Sequence, residues 1–179
     1  GSEKNKILRW HLCMEKFNIK FFHTLDADDL FFDWASIKKS LKILKEKKYD
    51  TVLPSKISRE GGASEGYSFS KFGIEKIIKN FKVLKSKNNN IEMIDTYLKS
   101  INKTKLNGNS YQLNKIRLTL DYNDDYILFQ KIRKKLGNFS HRSEINSYLK
   151  KNPNILNINF FRNLDWEIRQ KTIIANNIK

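Results

Sequence analysis

Ile7, Leu8, Leu12, Met14 and Phe17 recur at helical spacing and predict a short helix with one apolar face. The run at residues 19–25 is apolar and predicts a buried strand. Helical spacing returns over 34–47, where Ile37, Leu41 and Leu44 mark the inner face and Asp33 supplies a cap. A second short strand is predicted at 49–53, ended by Pro54. Residues 55–66 hold three of the seven glycines and predict a loop. A strand at 67–69 and a helix at 72–84 follow, then a polar break at 85–90, a helix at 91–101 and a turn-rich connection at 102–110. The apolar run at 111–120 predicts a further strand, and 123–136 a further helix. In the tail, Ser140 or Ser143 caps a helix that Lys150-Lys151-Asn152-Pro153 ends; 155–161 and a polar helical stretch around 165–175 close the chain. Strands alternating with helices predict an α/β fold. The expected division is an α/β core at 3–139 and a helical tail at 140–179.

Composition narrows this picture. A chain of 179 residues with 12 Phe, 7 Tyr and 3 Trp has enough apolar mass for one real core. No apolar run approaches the roughly 18 residues of a membrane span, and no signal peptide is visible, so the expected location is cytoplasmic. The single cysteine, Cys13, excludes an internal disulfide; its place in an amphipathic helix predicts a buried, inert thiol. One cysteine and three scattered histidines argue against structural zinc. Lys and Arg total 35 against 19 Asp and Glu, a formal +16 that attracts polyanions. The excess is mostly Lys and spread over several helices, in a chain rich in Asn and Ile. That pattern points to compositional drift before nucleic-acid recognition, since no basic stripe with interleaved aromatics is legible.

Two segments carry the candidate chemistry. The strand-like run ending in Thr24-Leu25 stops on Asp26-Ala27-Asp28-Asp29, and the run Ile116-Arg117-Leu118-Thr119-Leu120 stops on Asp121-Tyr122-Asn123-Asp124-Asp125. In open α/β sheets, ligands bind outside the carboxyl ends of strands. Carboxylates that converge there repel unless a cation lies between them, and hard oxygen donors suit Mg²⁺ and a phosphate substrate. Capping and turn formation explain Asp29, Asp33, Asp124 and Asp125 without any ligand. They do not explain Asp26 and Asp28, spaced by two, or Asp121; Asp28 and Asp121 are the expected catalytic and metal-holding residues. Asp26, Asp29, Arg59, Ser64 and Glu65 complete the expected site as substrate-binding residues; Ser64 and Glu65 lie in the glycine loop, which matches neither a dinucleotide fingerprint nor a P-loop. His23, in an apolar run, is expected to be a core histidine, and His141 a surface or structural one. Neither has an evident nucleophile partner.

These residues resemble a family. Leu8-Arg9-Trp10, then residues 24–33, then Ser64-Glu65-Gly66-Tyr67-Ser68-Phe69, then Arg117-Leu118-Thr119-Leu120-Asp121 with Asp124-Asp125 follow in the order found in cytidylyltransferases of glycoconjugate biosynthesis. The likeness is to the spore-coat polysaccharide, acylneuraminate and deoxy-octulosonate types. The family's strand-end pattern is Arg-x-Thr-x-Asp-Thr-Pro-Glu-Asp; here Tyr122-Asn123 replaces Thr-Pro and Asp124 replaces Glu. The tail, from Arg142-x-Glu144-Ile145 through Asn152-Pro153 to Asn159, is similar to that of the spore-coat type. The resemblance implies a three-layer α/β/α nucleotide-diphospho-sugar-transferase-like sheet. It also implies attack by a sugar oxygen on the α-phosphorus of CTP with Mg²⁺, release of pyrophosphate, and Asp28 and Asp121 at the metal, for surface polysaccharide or glycoconjugate synthesis.

The family opens with a strand and a basic, glycine-bearing loop for the triphosphate, and this chain begins on a later helix. The expectation is therefore an N-terminally truncated fold, inactive alone. Its partners would be CTP, a sugar acceptor, and a homodimer mate or the missing segment; no specific nucleic acid is expected. The alternative expectation is a non-catalytic basic module that binds an acidic glycan, nucleic acid or a partner protein.

Overall fold

The computed structural model describes residues 5–46, 48–63, 65–80, 94–108, 113 and 116–177. The chain divides into two compact units, each assembled from separated segments. Unit 1 takes residues 1–24, 37–53 and 67–106, and unit 2 takes 25–36, 54–66 and 107–179. Residues beyond 140 thus share a unit with 107–139 and with the first acidic segment.

Unit 1 holds the sheet. Its strands β1 (Phe21–His23), β2 (Thr51–Leu53), β3 (Ser68–Ser70) and β4 (Lys103–Lys105) lie in the order β1-β3-β2-β4. The pairs β1/β3 and β2/β3 are antiparallel and β2/β4 is parallel, with Phe22 opposite Phe69 and Val52 opposite both Ser68 and Thr104. The fold is mixed α/β. Helix α1 (Lys6–Lys16) starts where Asn5 Oδ1 accepts the Leu8 N–H at 2.9 Å, and buries Ile7 and Met14. Helix α3 (Lys71–Asn80) buries Ile74, Ile77 and Ile78, and helix α2 (Trp34–Glu46) contributes Leu44 to a small cluster with Val52 and Leu106. Phe69, fully buried, is ringed by Trp10, Phe22 and Tyr67 at centroid distances of 5.4–6.1 Å.

Several sequence expectations shift here. The strands predicted at 19–25, 49–53 and 67–69 appear as three-residue strands. The helix predicted at 72–84 is seen through Asn80; its last four positions and the polar break at 85–90 lie outside the described residues. Of the helix predicted at 91–101, the described portion Ile94–Ser100 is a 3₁₀ helix, and the connection after it contains β4. Cys13 is exposed rather than buried, because Ile7 and Met14 define the inner face and Cys13 is turned off it.

Unit 2 is helical: α4 (Asn123–Leu136), α5 (Arg142–Lys151), α6 (Pro153–Leu156) and α7 (Arg162–Asn177). Ile116, Leu118, Leu128, Phe129, Ile132, Ile145 and Leu149 form its core. The cap of α5 is His141 rather than Ser140 or Ser143, and Glu144 Oε2 accepts the His141 N–H at 2.7 Å. Residues 116–120 lie in no ladder, although the pattern predicted a strand. They instead make single backbone bonds to two turns: Leu118 N–H to Gly61 O at 2.9 Å and Leu120 N–H to Asp28 O at 3.0 Å. Gly61 is required there. Its φ is +99°, and a Cβ would strike the Ile116 carbonyl.

Candidate functional site

The site is built around residues 116–121. N–H groups two residues apart in an extended chain point the same way. The bonds from Leu118 and Leu120 therefore set the turns at Gly61 and Asp28 along one edge. Arg117, Thr119 and Asp121 alternate in sequence with Ile116, Leu118 and Leu120, and Arg117 is buried together with Ile116 and Leu118.

The first acidic segment is a turn, in which the Asp29 N–H donates to Asp26 O at 3.1 Å. Thr119 Oγ1 donates to Asp28 Oδ2 at 3.3 Å. Burial, then the charges of Asp28 and Asp26, push the Asp29 carboxyl up to about 7; the Thr119 hydroxyl and the Arg142 charge only partly oppose them. Asp33 sits beyond as a cap, accepting the Ser36 N–H at 3.2 Å and the Ser36 hydroxyl at 3.0 Å, as the pattern predicted.

The second segment is a charge network. Arg117 is 2% exposed and Asp125 is fully buried. Arg117 Nε donates to Asp125 Oδ1 at 2.9 Å, and its Nη2 donates to Asp125 Oδ2 at 3.1 Å and to Asp121 Oδ2 at 2.6 Å. Asp125 Oδ2 also accepts the Asp121 and Tyr122 N–H groups, each at 2.9 Å. A buried carboxylate needs this many donors to remain charged. Asp125 is therefore the anchor of the turn that presents Asp121, beyond any service to the helix dipole.

The structure treats the candidate residues differently. Asp26, Asp28, Asp29, Arg59, Glu65 and Asp121 all belong to unit 2. Asp28 and Asp121 stand on adjoining segments, linked through Thr119 and Leu120. Glu65 is 6% exposed and engaged within its own loop: Oε2 accepts the Ser55 N–H at 2.7 Å, while its N–H donates to Ser58 Oγ at 2.9 Å. Arg59 is exposed on a single π turn, Ser58–Gly62. Ser64 lies outside the described residues. His23, in unit 1, shares a 2.8 Å hydrogen bond with the fully buried Ser68, and burial lowers its pKa to about 4. The residue is half-buried at the edge of the core rather than within it, and its Nε2 has no hydrogen-bond partner among the described residues.

The resemblance includes Arg117, Asp125, Arg142 and Asn159, but sequence reasoning gave none of them a role at the site. An Arg between Ile116 and Leu118 in an apolar run was the one available signal, because such a charge demands a carboxylate partner. Asn159 was marked only by the family-like tail, which says nothing of its partners: its Nδ2 donates to Asp125 Oδ1 at 2.8 Å and to Arg117 O at 3.0 Å, across more than 30 residues of chain.

The donor set fits a hard divalent cation. Asp28 and Asp121 offer carboxylate oxygens on adjoining segments. Among the described residues, no group of three or more His, Cys, Asp or Glu forms a cage. Mg²⁺ is commonly held by one or two carboxylates, with water and substrate phosphates completing its shell.

Two shallow depressions lie elsewhere. One, of about 500 Å³, is lined by Gln130, Lys131, Arg133, Lys134 and Asn138 on α4; the other, of about 410 Å³, by Lys38, Leu41, Lys42, Lys45 and Glu46 on α2. Neither includes a candidate residue. No described helix is long and apolar enough to cross a membrane.

No family model matches the chain, and no curated protein sequence matches it. A solved structure does: a cytidylyltransferase from Leptospira borgpetersenii serovar Hardjo-bovis, with a TM-score of 0.71 over 87% of this chain at 17% identity. This chain spans 66% of that one. The fold is cytidylyltransferase-like.

Proposed function

We propose that the chain is a nucleotidyltransferase-type protein that activates a sugar with CTP, releasing pyrophosphate. The observation that carries the reading is the adjacency of the two acidic turns: Asp28 O on the Leu120 N–H at 3.0 Å, Asp28 Oδ2 on the Thr119 hydroxyl at 3.3 Å, and Asp121 one residue beyond Leu120. The cytidylyltransferase-like fold supports it independently. Asp28 and Asp121 would hold Mg²⁺, which when bound neutralises charge on the phosphates of the nucleotide.

The chain's own residues have separable tasks. Arg117 holds Asp121 by one oxygen, Oδ2, and so orients the carboxylate. Thr119 fixes the Asp28 rotamer. Arg142, 4% exposed, donates to Phe31 O at 2.7 Å and to Gly62 O, and ties the two flanking segments to α5. Positioning of this kind is most of what phosphoryl chemistry asks of a protein.

The test is CTP-dependent pyrophosphate release with Mg²⁺ across a panel of acceptor sugars, run on a chain extended by the triphosphate-binding segment that the resemblance implies, since this chain alone is expected to be inactive. Asp121→Asn removes charge and little volume, so it should lower the rate by about two orders of magnitude or more while the far-UV spectrum is kept. An unchanged rate removes Asp121 from the mechanism. Failure of that extended chain to bind CTP in the presence of Mg²⁺ overturns the reading.

The basic-module alternative has its own observation. Lys38, Lys39, Lys42 and Lys45 are exposed on α2, and Lys131, Arg133, Lys134 and Lys135 on α4. These faces support polyanion contact of a nonspecific kind.

A further inference from the structure

We infer that the C-terminal segment from Asn159 to Asp165 is a positioning element of the acidic site, acting on Asp121 through Asp125, Arg117 and Tyr122. The inference rests on the proposed cation site and adds residues to it that lie some 40 positions away in sequence.

Three contacts carry it. First, Asn159 is fully buried, and its amide donates to Asp125 Oδ1 at 2.8 Å and Arg117 O at 3.0 Å. It thereby braces both ends of the Arg117–Asp125 pair, the pair that sets where Asp121 points. Second, the Tyr122 ring lies 5.1 Å from the guanidinium of Arg117 and 5.1 Å from that of Arg162. Arg162 is held in turn by Asp124 Oδ2 at 2.7 Å and Asp165 Oδ2 at 2.8 Å. Third, Asn163 Oδ1 accepts from Arg117 Nη1 at 3.4 Å, a long contact that adds direction more than energy.

Asp121 has little else to hold it. Its side chain keeps 23% of its surface exposed, and Arg117 engages only Oδ2. A carboxylate at the mouth of a turn takes one rotamer only if the partner that grips it is itself fixed. The planar guanidinium of Arg117 is fixed in its plane by Asp125 and across its face by Tyr122. Asn159 and Arg162 then fix Asp125 and Tyr122. The tail closes this chain of supports and touches no carboxylate that would meet a cation.

The test uses charge-neutral variants, because deleting Arg162 would change cation affinity by electrostatics alone. Mn²⁺ stands in for Mg²⁺, and free Mn²⁺ is counted by electron paramagnetic resonance in the full chain. Tyr122→Leu and Asn159→Leu should each weaken Mn²⁺ binding about fivefold or more. Tyr122→Phe, which keeps the ring between the two guanidiniums, should bind as the wild type does. Tyr122 is only half buried, so its variants keep the inference open to test even where Asn159→Leu does not fold. Wild-type affinity in a folded Tyr122→Leu overturns the inference and leaves the cation site standing. A wild-type chain that binds no Mn²⁺ overturns the cation site and this inference with it.

Discussion

At the residue scale, two titratable side chains are held far from their ordinary pKa values, with opposite consequences. His23 is lowered from 6.5 to about 4 by burial. The unfolded chain therefore takes up a proton that the folded chain refuses, and the His23 contribution, present above pH 6.5, is lost as pH falls toward 4. Asp29 is raised from 3.8 to about 7, by burial first and by Asp28 and Asp26 next. Here the folded state keeps a proton that the unfolded state releases, so stability present below pH 3.8 is lost as pH rises toward 7. The windows overlap and the slopes oppose. The metal-free wild type should show a flatter denaturation profile between pH 4 and 7 than either single variant. His23→Gln should expose the downward slope of Asp29 with rising pH, and Asp29→Asn the upward slope of His23. Urea midpoints measured across that range check both; parallel profiles for all three proteins would refute the assignment. Asp33 as a cap was legible in sequence, because that role depends on a few neighbouring positions. The Arg117–Asp125 pair was not, since the pattern that marks Asp125 as an ordinary N-terminal acid of α4 is silent about what lies above it.

At the element scale, helix periodicity read true for most segments, Ile94–Ser100 being 3₁₀ instead, and extended segments read long. Helices α1, α2 and α4 fall where apolar spacing places them. The run at 116–120 alternates like a strand, yet its backbone partners are two turns rather than a ladder. Alternation reports which side of a segment is buried and not what its backbone meets. Arg142 is the clearest product of that difference. It was read as part of a helix start, and it proves to be a buried fork whose three donor groups reach Asn146 Oδ1 at 3.0 Å, Phe31 O at 2.7 Å and Gly62 O. Lys at this position keeps the charge and loses the fork, leaving at least one buried carbonyl unpaired. Arg142→Lys should therefore cost about 2–4 kcal/mol of stability. It should also raise amide exchange at Leu118 and Leu120 ahead of the rest of unit 2, because the turns that accept those two N–H groups lose their tie to α5. A destabilisation spread evenly over unit 2 would show that Arg142 only adds to the core.

At the scale of the whole molecule, the formal +16 sets how the protein meets polyanions. Charge that is spread over many faces cannot all meet one backbone. If every excess cation met a phosphate, the salt slope of binding would approach about −14, since each neutralised phosphate contributes roughly −0.9. The structure gives a smaller number. On α2, Lys42 lies 3.9 Å from Glu46 and is partly neutralised within its own face. On α4 no acid follows Asp125, so Lys131, Arg133, Lys134 and Lys135 form the cleaner face. Four cations predict a slope near −4, and an affinity that falls on the order of a hundredfold between 50 and 200 mM salt. No side chain on this face is arranged to read bases, so preference among duplex sequences should stay within about tenfold. Fluorescence anisotropy with two unrelated duplexes measures both quantities. Replacing Lys131, Lys134 and Lys135 together by Gln should reduce the slope by about three without altering CTP-dependent pyrophosphate release, because these residues take no part in the acidic site. A slope unaffected by that triple change would move the contact to another face. Tight binding to one sequence at physiological salt would favour the basic module over the nucleotidyltransferase, since weak, salt-labile contact is all that dispersed lysines supply.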